Sequence, residues 1–120
     1  MDRLGGIINL QIDGENYRAK GEFTYGLGIP KKEAVVGTDG VHGFKETPQV
    51  AFCEGEVTDS RELDHIGLAS LSNVTVTLEL GNGKVIVLRE AWQAGDASGH
   101  TEEGNIDVRF ESAGRAEEIN

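Results

Sequence analysis

Residues able to do acid–base, nucleophilic or metal chemistry are few and scattered. The three histidines, His42, His65 and His100, and the single cysteine, Cys53, are spread along the chain. None stands at a helical metal-ligand spacing from another. Asp64-His65 is the one adjacent acid–imidazole pair, and it falls in a segment that reads as helix, where sequence neighbours point in different directions. With 21 Asp and Glu in 120 residues, neighbouring carboxylates arise by chance, so a glycosidase-type pair has no support from spacing. Thr38-Asp39-Gly40 and Gly95-Asp96-Ala97-Ser98 supply too few alternating oxygens for a calcium loop. Gly26-Leu27-Gly28 lacks the rest of a dinucleotide fingerprint, and Gly81-Asn82-Gly83-Lys84 lacks phosphate-loop spacing. No serine sits in a nucleophile elbow. The expectation is a protein that is not an enzyme and holds no cofactor or metal.

Cys53, beside Ala51 and Phe52, reads as a small buried apolar residue, and alone it forms no intramolecular disulfide. Charge then narrows the partners. Eleven basic residues against 21 acidic ones give a net charge of −10, and residues 90–120 hold eight acids and two bases, a net of −6. Such a field repels DNA and membrane surfaces, because affinity for phosphates comes from Lys and Arg releasing counterions; net charge also simply keeps a protein soluble. Lys31-Lys32, the basic doublet, is answered at once by Glu33. Trp92, Phe23, Phe44, Phe52 and Phe110 are not interleaved with basic residues as base-stacking platforms are; Trp92 reads as core or interface. No stretch approaches the roughly 20 apolar residues of a membrane helix. Met1–Gly6 lacks the basic-then-apolar order of a signal peptide, so synthesis in the cytoplasm is expected.

The elements that must position these groups are mostly strands. Seventeen glycines and only two prolines mark a turn-rich chain, and 120 residues suit a single domain, 1–120. Ile8, Leu10 and Ile12 alternate with Asn9 and Gln11, a strand over 7–12 with one wet face. Asp13-Gly14 suits a tight hairpin, and the return strand runs from Glu15 to Tyr25. Strands follow at about 48–58, 73–80, 84–92 and 104–112, the 84–92 segment with apolar residues on both faces. Asp59, with Glu62 three residues on, opens a short helix over about 60–70 with Leu63, Ile66 and Leu71 inward. Residues 93–99 read as a loop and 115–120 as a surface tail. The tally is six or seven strands and one flanking helix, a mainly β antiparallel barrel or sandwich.

Between Gly26 and Phe44 the periodicity stops. Nineteen residues are long for a connection inside a compact domain, and this one carries Leu27, Ile29, Val35, Val36, Val41 and Phe44. That much apolar surface without a core period calls for a covering partner.

The opening Met1-Asp2-Arg3-Leu4-Gly5-Gly6-Ile7-Ile8-Asn9-Leu10-Gln11-Ile12-Asp13-Gly14 resembles the start of tail tube proteins of Mu-like contractile-tailed phages. So does the run from Lys32 to Glu46. The resemblance covers nearly the whole chain. It implies a structural subunit, related in fold to the secreted tube protein of type VI secretion, that forms hexameric rings stacked into a tube. It implies a place in the virion tail after assembly in the host bacterial cytoplasm, with a sheath outside and the tape-measure protein and then DNA inside. Baseplate and tail-terminator proteins would cap the ends; no membrane is involved. A ring-stacking arm is then expected at Leu27, Ile29, Lys31, Lys32, Val35, Val36, Val41 and Phe44. Alternation nominates Asn9, Gln11, Asp13, Asp107 and Glu111 for an acidic lumen wall that lets DNA pass without adhering. The tube of a tailocin or of a type VI-like apparatus is the alternative, and a monomeric ligand-binding barrel a remote one.

Overall fold

The computed structural model describes residues 7–120; Met1–Gly6, which carries part of the resemblance, and the inward position expected of Ile8 lie outside what is described. Eleven strands and one helix follow in order: β1 (Ile7–Ile12), β2 (Glu15–Tyr17), β3 (Ala19–Leu27), β4 (Lys31–Gly37), β5 (Gly40–Thr47), β6 (Ala51–Thr58), α1 (His65–Ala69), β7 (Val74–Leu80), β8 (Val85–Gln93), β9 (Gly99–His100), β10 (Asn105–Ser112) and β11 (Glu117–Ile119). Nine of these strands form one antiparallel sheet in the order β2-β1-β7-β8-β10-β6-β3, with β11 beside β8 and β9 beside β10. Among the described residues, β4 and β5 pair only with each other.

Alternation places the core as expected. Val74, Val76 and Leu78 on β7, and Ile106, Val108 and Phe110 on β10, are buried, while Thr75, Thr77, Asp107, Arg109 and Glu111 turn outward. Period two sends successive side chains to opposite faces, so one wall of the curled sheet packs Leu10, Val76 and Ile86 against Cys53, Val108 and Phe110 of the other in a single cluster. β8 buries both faces: Ile86 and Leu88 join that cluster, and Val87 is covered on the far side, opposite Glu117 of β11. The expected surface tail at 115–120 is therefore a strand in part, because Val87 needs a cover that the tail supplies. Asp13 and Gly14 both have positive φ, 50° and 86°, the geometry a two-residue hairpin turn requires.

The sheet curls around its core without closing into a barrel. Its two edges, β2 and β3, are not hydrogen-bonded to each other; the chain runs directly from one to the other through Arg18. The carbonyl of Arg18 accepts from the Thr58 amide at 2.8 Å, extending the β3–β6 ladder around the bend. The single return strand expected over 15–25 is thus two strands serving opposite edges. Gly21, at φ 69°, lies within the bulge between Lys20 and Thr24, and such bulges let a strand bend sharply.

The helix is shorter than expected and starts later. Asp64, not Asp59, is its N-cap, accepting from the Gly67 amide at 3.1 Å. Asp59 instead meets His65 Nε2 at 2.8 Å. Moving the start by several residues rotates the inward face: Leu68 is buried and Ile66, expected inside, is 80% exposed. Leu63 and Leu71 pack half-buried against the core.

Candidate assembly surface

The segment expected to be a loop at 26–44 is largely a two-stranded arm. β4 and β5 pair from Lys31↔Thr47 to Gly37↔Gly40, with a register shift between Val35 and Val36. Directly opposed residues share a face, so the register sorts the side chains. One face carries Lys31, Glu33, Val35 and Lys45, with Glu33 bridging Lys31 at 3.4 Å and Lys45 at 3.7 Å. The other carries Ala34, Val36, Val41 and Phe44 with Lys32, whose ammonium lies 5.1 Å from the Phe44 ring centroid. Val36 and Val41 are 71% and 70% exposed and Phe44 59%. The alternation was masked in the sequence because the bulge breaks the period and neither face enters the core.

The arm springs from the junction of β3 and β6. Leu27 pairs with Ala51 there and packs half-buried against the core, whereas Ile29 and Val50 remain exposed. Of the arm positions named from sequence, Leu27 is therefore the root and the other seven are exposed. The molecule measures 63 × 38 × 28 Å.

The lumen candidates do not share a surface. Asn9 and Gln11 lie on the outer face of β1, where Asn9 Nδ2 donates to Asn16 Oδ1 at 2.9 Å. Asp13 sits in the β1–β2 turn and accepts from the Thr75 amide at 2.8 Å, a structural task. Asp107 and Glu111 lie on the outer face of β10, on the other wall. That wall gathers more acid than alternation alone could reveal, because pairing with β6 adds Glu54 and Glu56. Register sets Glu56 opposite Asp107 and Glu54 opposite Arg109. Arg109 bonds Glu111 at 2.8 Å and Glu54 at 2.9 Å and stacks 4.2 Å over Phe52. Asn105 donates to Glu56 at 2.8 Å, and His100 Nε2 lies 3.0 Å from Asp107. The hydrogen bond with Asp107 raises the His100 pKa, with its charge and those of Glu103 and Glu56 adding to the effect.

Each histidine is paired with one aspartate, His42 with Asp39, His65 with Asp59 and His100 with Asp107, and each pair is exposed. Among the described residues no three His, Cys, Asp or Glu are grouped to hold a metal, and no helix is long and apolar enough to cross a membrane. Cys53 is fully buried, and burial pushes its thiol up to about 12.

The described residues thus form a curled β sheet with a projecting arm that exposes apolar side chains and an outer wall that gathers acids. The chain belongs to the phage tail tube protein family, whose model matches residues 1–116. It is also similar to the Mu-like prophage FluMu tail tube protein of Haemophilus influenzae, with 31% identity over 83 residues, 69% of this chain and 70% of that protein. It is thus a structural component of phage tails, of a family that assembles into a tube with other tail proteins.

Proposed function

We propose that this chain forms hexameric rings that stack into the inner tube of a contractile tail, the conduit for DNA beneath the sheath. The arm carries this reading: Val36, Val41 and Phe44 share one exposed face of a hairpin that, among the described residues, pairs with no other strand. Apolar surface so placed gains by burial in a neighbour, at roughly 25 cal/mol per Å². Ring closure would cover the free edge of β3, which otherwise invites uncontrolled pairing. Contacts along the axis do not close and so propagate a filament. In this arrangement the wall of Glu54, Glu56, Asp107 and Glu111 faces the lumen, where like charge denies DNA any counterion-release gain. Asn9 and Gln11, uncharged and on the opposite wall, then face outward. The tape-measure protein occupies the lumen first and DNA later, while baseplate and terminator proteins bound the tube.

Electron microscopy of purified protein over a concentration series tests the reading. Wild type should form rings or tubes with a stain-filled channel. The variant Val36→Lys/Val41→Glu, which sets opposite charges at two directly paired exposed positions, should keep its melting temperature and remain monomeric. Wild type that stays monomeric at every concentration would overturn the proposal.

A further inference from the structure

The turn between β7 and β8 carries an Asn-Gly pair at its tip. Leu80 and Lys84 close it: the Leu80 amide donates to the Lys84 carbonyl at 2.8 Å, and the Gly83 amide donates to the Leu80 carbonyl at 3.1 Å. Gly83 has φ 93°, so Gly81-Asn82-Gly83 is a three-residue loop whose last residue takes the left-handed conformation. Asn82 and Gly83 are both exposed. Apart from its chain neighbours, no atom lies within 4 Å of where a Gly83 Cβ would stand. The Asn82 side chain is nevertheless held in place, because its Oδ1 accepts from the Lys84 amide at 3.1 Å.

An asparagine side chain can be attacked by the backbone nitrogen that follows it. Here the Gly83 nitrogen would bond to Asn82 Cγ while the Cγ–Nδ2 bond breaks. The Gly83 amide proton leaves with Nδ2 as ammonia, and a cyclic imide remains. Water then opens the imide at either carbonyl, giving an aspartyl or an isoaspartyl residue. The turn favours this step in two ways. The Lys84 amide donates to the oxygen on which negative charge develops, the task of an oxyanion-hole donor, and Gly83 has no side chain to shield its nitrogen. The Gly83–Leu80 hydrogen bond must open first, and at an exposed turn such opening costs little. Other positions lack the combination. Asn9, Asn16, Asn73 and Asn105 are followed by Leu10, Tyr17, Val74 and Ile106, whose side chains crowd the attacking nitrogen. Asp13 and Asp39 do precede glycines, but a carboxylate is a poor electrophile. Asp13 is engaged by the Thr75 amide, and the hydrogen bond from His42 holds the Asp39 carboxyl below its ordinary pKa and so ionised.

We propose that Asn82 is a self-modifying site of the folded subunit, its side-chain amide converting to aspartyl and isoaspartyl carboxylate with water as the co-reactant. Each conversion adds one negative charge to the chain's −10. The isoaspartyl product also carries the backbone through Cγ of residue 82, which lengthens the loop that Leu80 and Lys84 close. Loop length sets hairpin register, so this product loosens the β7–β8 connection, whereas the aspartyl product keeps an oxygen to accept from Lys84.

Ageing the purified protein in warm, mildly alkaline buffer tests this, with isoelectric focusing and peptide mapping as readouts. A band one charge more acidic should grow with first-order kinetics and map to the peptide containing Asn82. An isoaspartyl methyltransferase supplied with labelled S-adenosylmethionine should methylate that peptide. Asn82→Asp should run with the acidic band from the start. Asn82→Gln should keep its original band, because glutamine would have to close a larger and slower-forming ring. A parallel sample unfolded in urea separates chain chemistry from the fold. Conversion in urea but not in the folded protein would show that the turn protects Asn82 and would overturn the proposal. An acidic band that maps to another residue, or that grows equally fast in Asn82→Gln, would overturn it too.

Discussion

Glu56 and Asp107 stand directly opposite each other on β6 and β10, two carboxylates on the outer face of one wall. Like charges at a cross-strand pair destabilise a sheet. Each is held by a neighbour, Glu56 by Asn105 and Asp107 by His100. Glu56→Gln keeps an oxygen to accept from Asn105 and removes the repulsion. The variant should be more stable by about 0.2–1 kcal/mol, a rise in melting temperature of a few degrees at most by calorimetry. A fall would mean that the acid makes a favourable contact within the subunit.

Gly55 on β6 lies against the face of Phe23. A Cβ there would come within 2.4–2.6 Å of three ring carbons, although Phe23 is 8% exposed and packed in the core. Gly55→Ala must displace the ring, and overpacking of this kind costs about 1–3 kcal/mol. Urea denaturation should show a lower midpoint with an unchanged slope.

Cys53 should be inert in the native protein. Its side chain is fully buried and its thiol is pushed up to about 12 by burial, so almost no thiolate exists at pH 8. A thiol reagent should label it only in denaturant, and labelling of the folded subunit would show that the core opens locally.

His100 provides a pH signature. Its pKa is raised above 6.5, first by the hydrogen bond with Asp107. Because the folded value exceeds the unfolded one, the stabilisation is fully present below about pH 6.5 and is lost as pH rises through the folded value. NMR titration should place the His100 midpoint above 6.5, and Asp107→Asn should lower it. A midpoint indifferent to that substitution would remove Asp107 as the cause.

Arg109 ties three neighbours together: Glu54, Glu111 and the ring of Phe52. Arg109→Lys keeps the charge but cannot bond both carboxylates in the plane of a stacked guanidinium. A loss of about 1 kcal/mol is expected from urea melts at low salt, and a smaller one at high salt, where the screened part disappears.

Local periodicity was enough to locate most of the domain. The Asp13-Gly14 turn, the alternation of Val74–Leu80 and that of Ile106–Phe110 are written in residues two apart, and strand geometry converts them directly into a buried face. Runs such as Met1–Gly14 and Lys32–Glu46 likewise carried the family in their order alone. What depended on partners distant in the chain was hidden. The arm at 31–47 has no buried face and a register shift between Val35 and Val36, so its apolar residues show no regular period. The helix start turned on whether Asp59 or Asp64 would cap it, and in the fold Asp64 caps the helix while Asp59 meets His65. β11 exists because Val87, some 30 residues away, needs a cover.

The sequence by itself determined that the chain is a mainly β, acidic subunit of the tail tube family, because composition, turn chemistry and motif order are local properties. Only the tertiary structure decided that Glu54 and Glu56 join Asp107 and Glu111 on one wall while Asn9 and Gln11 lie on the other. Only it sorted the arm into a charged face and an apolar one. Both outcomes follow from strand register, which is a long-range pairing that no single segment encodes.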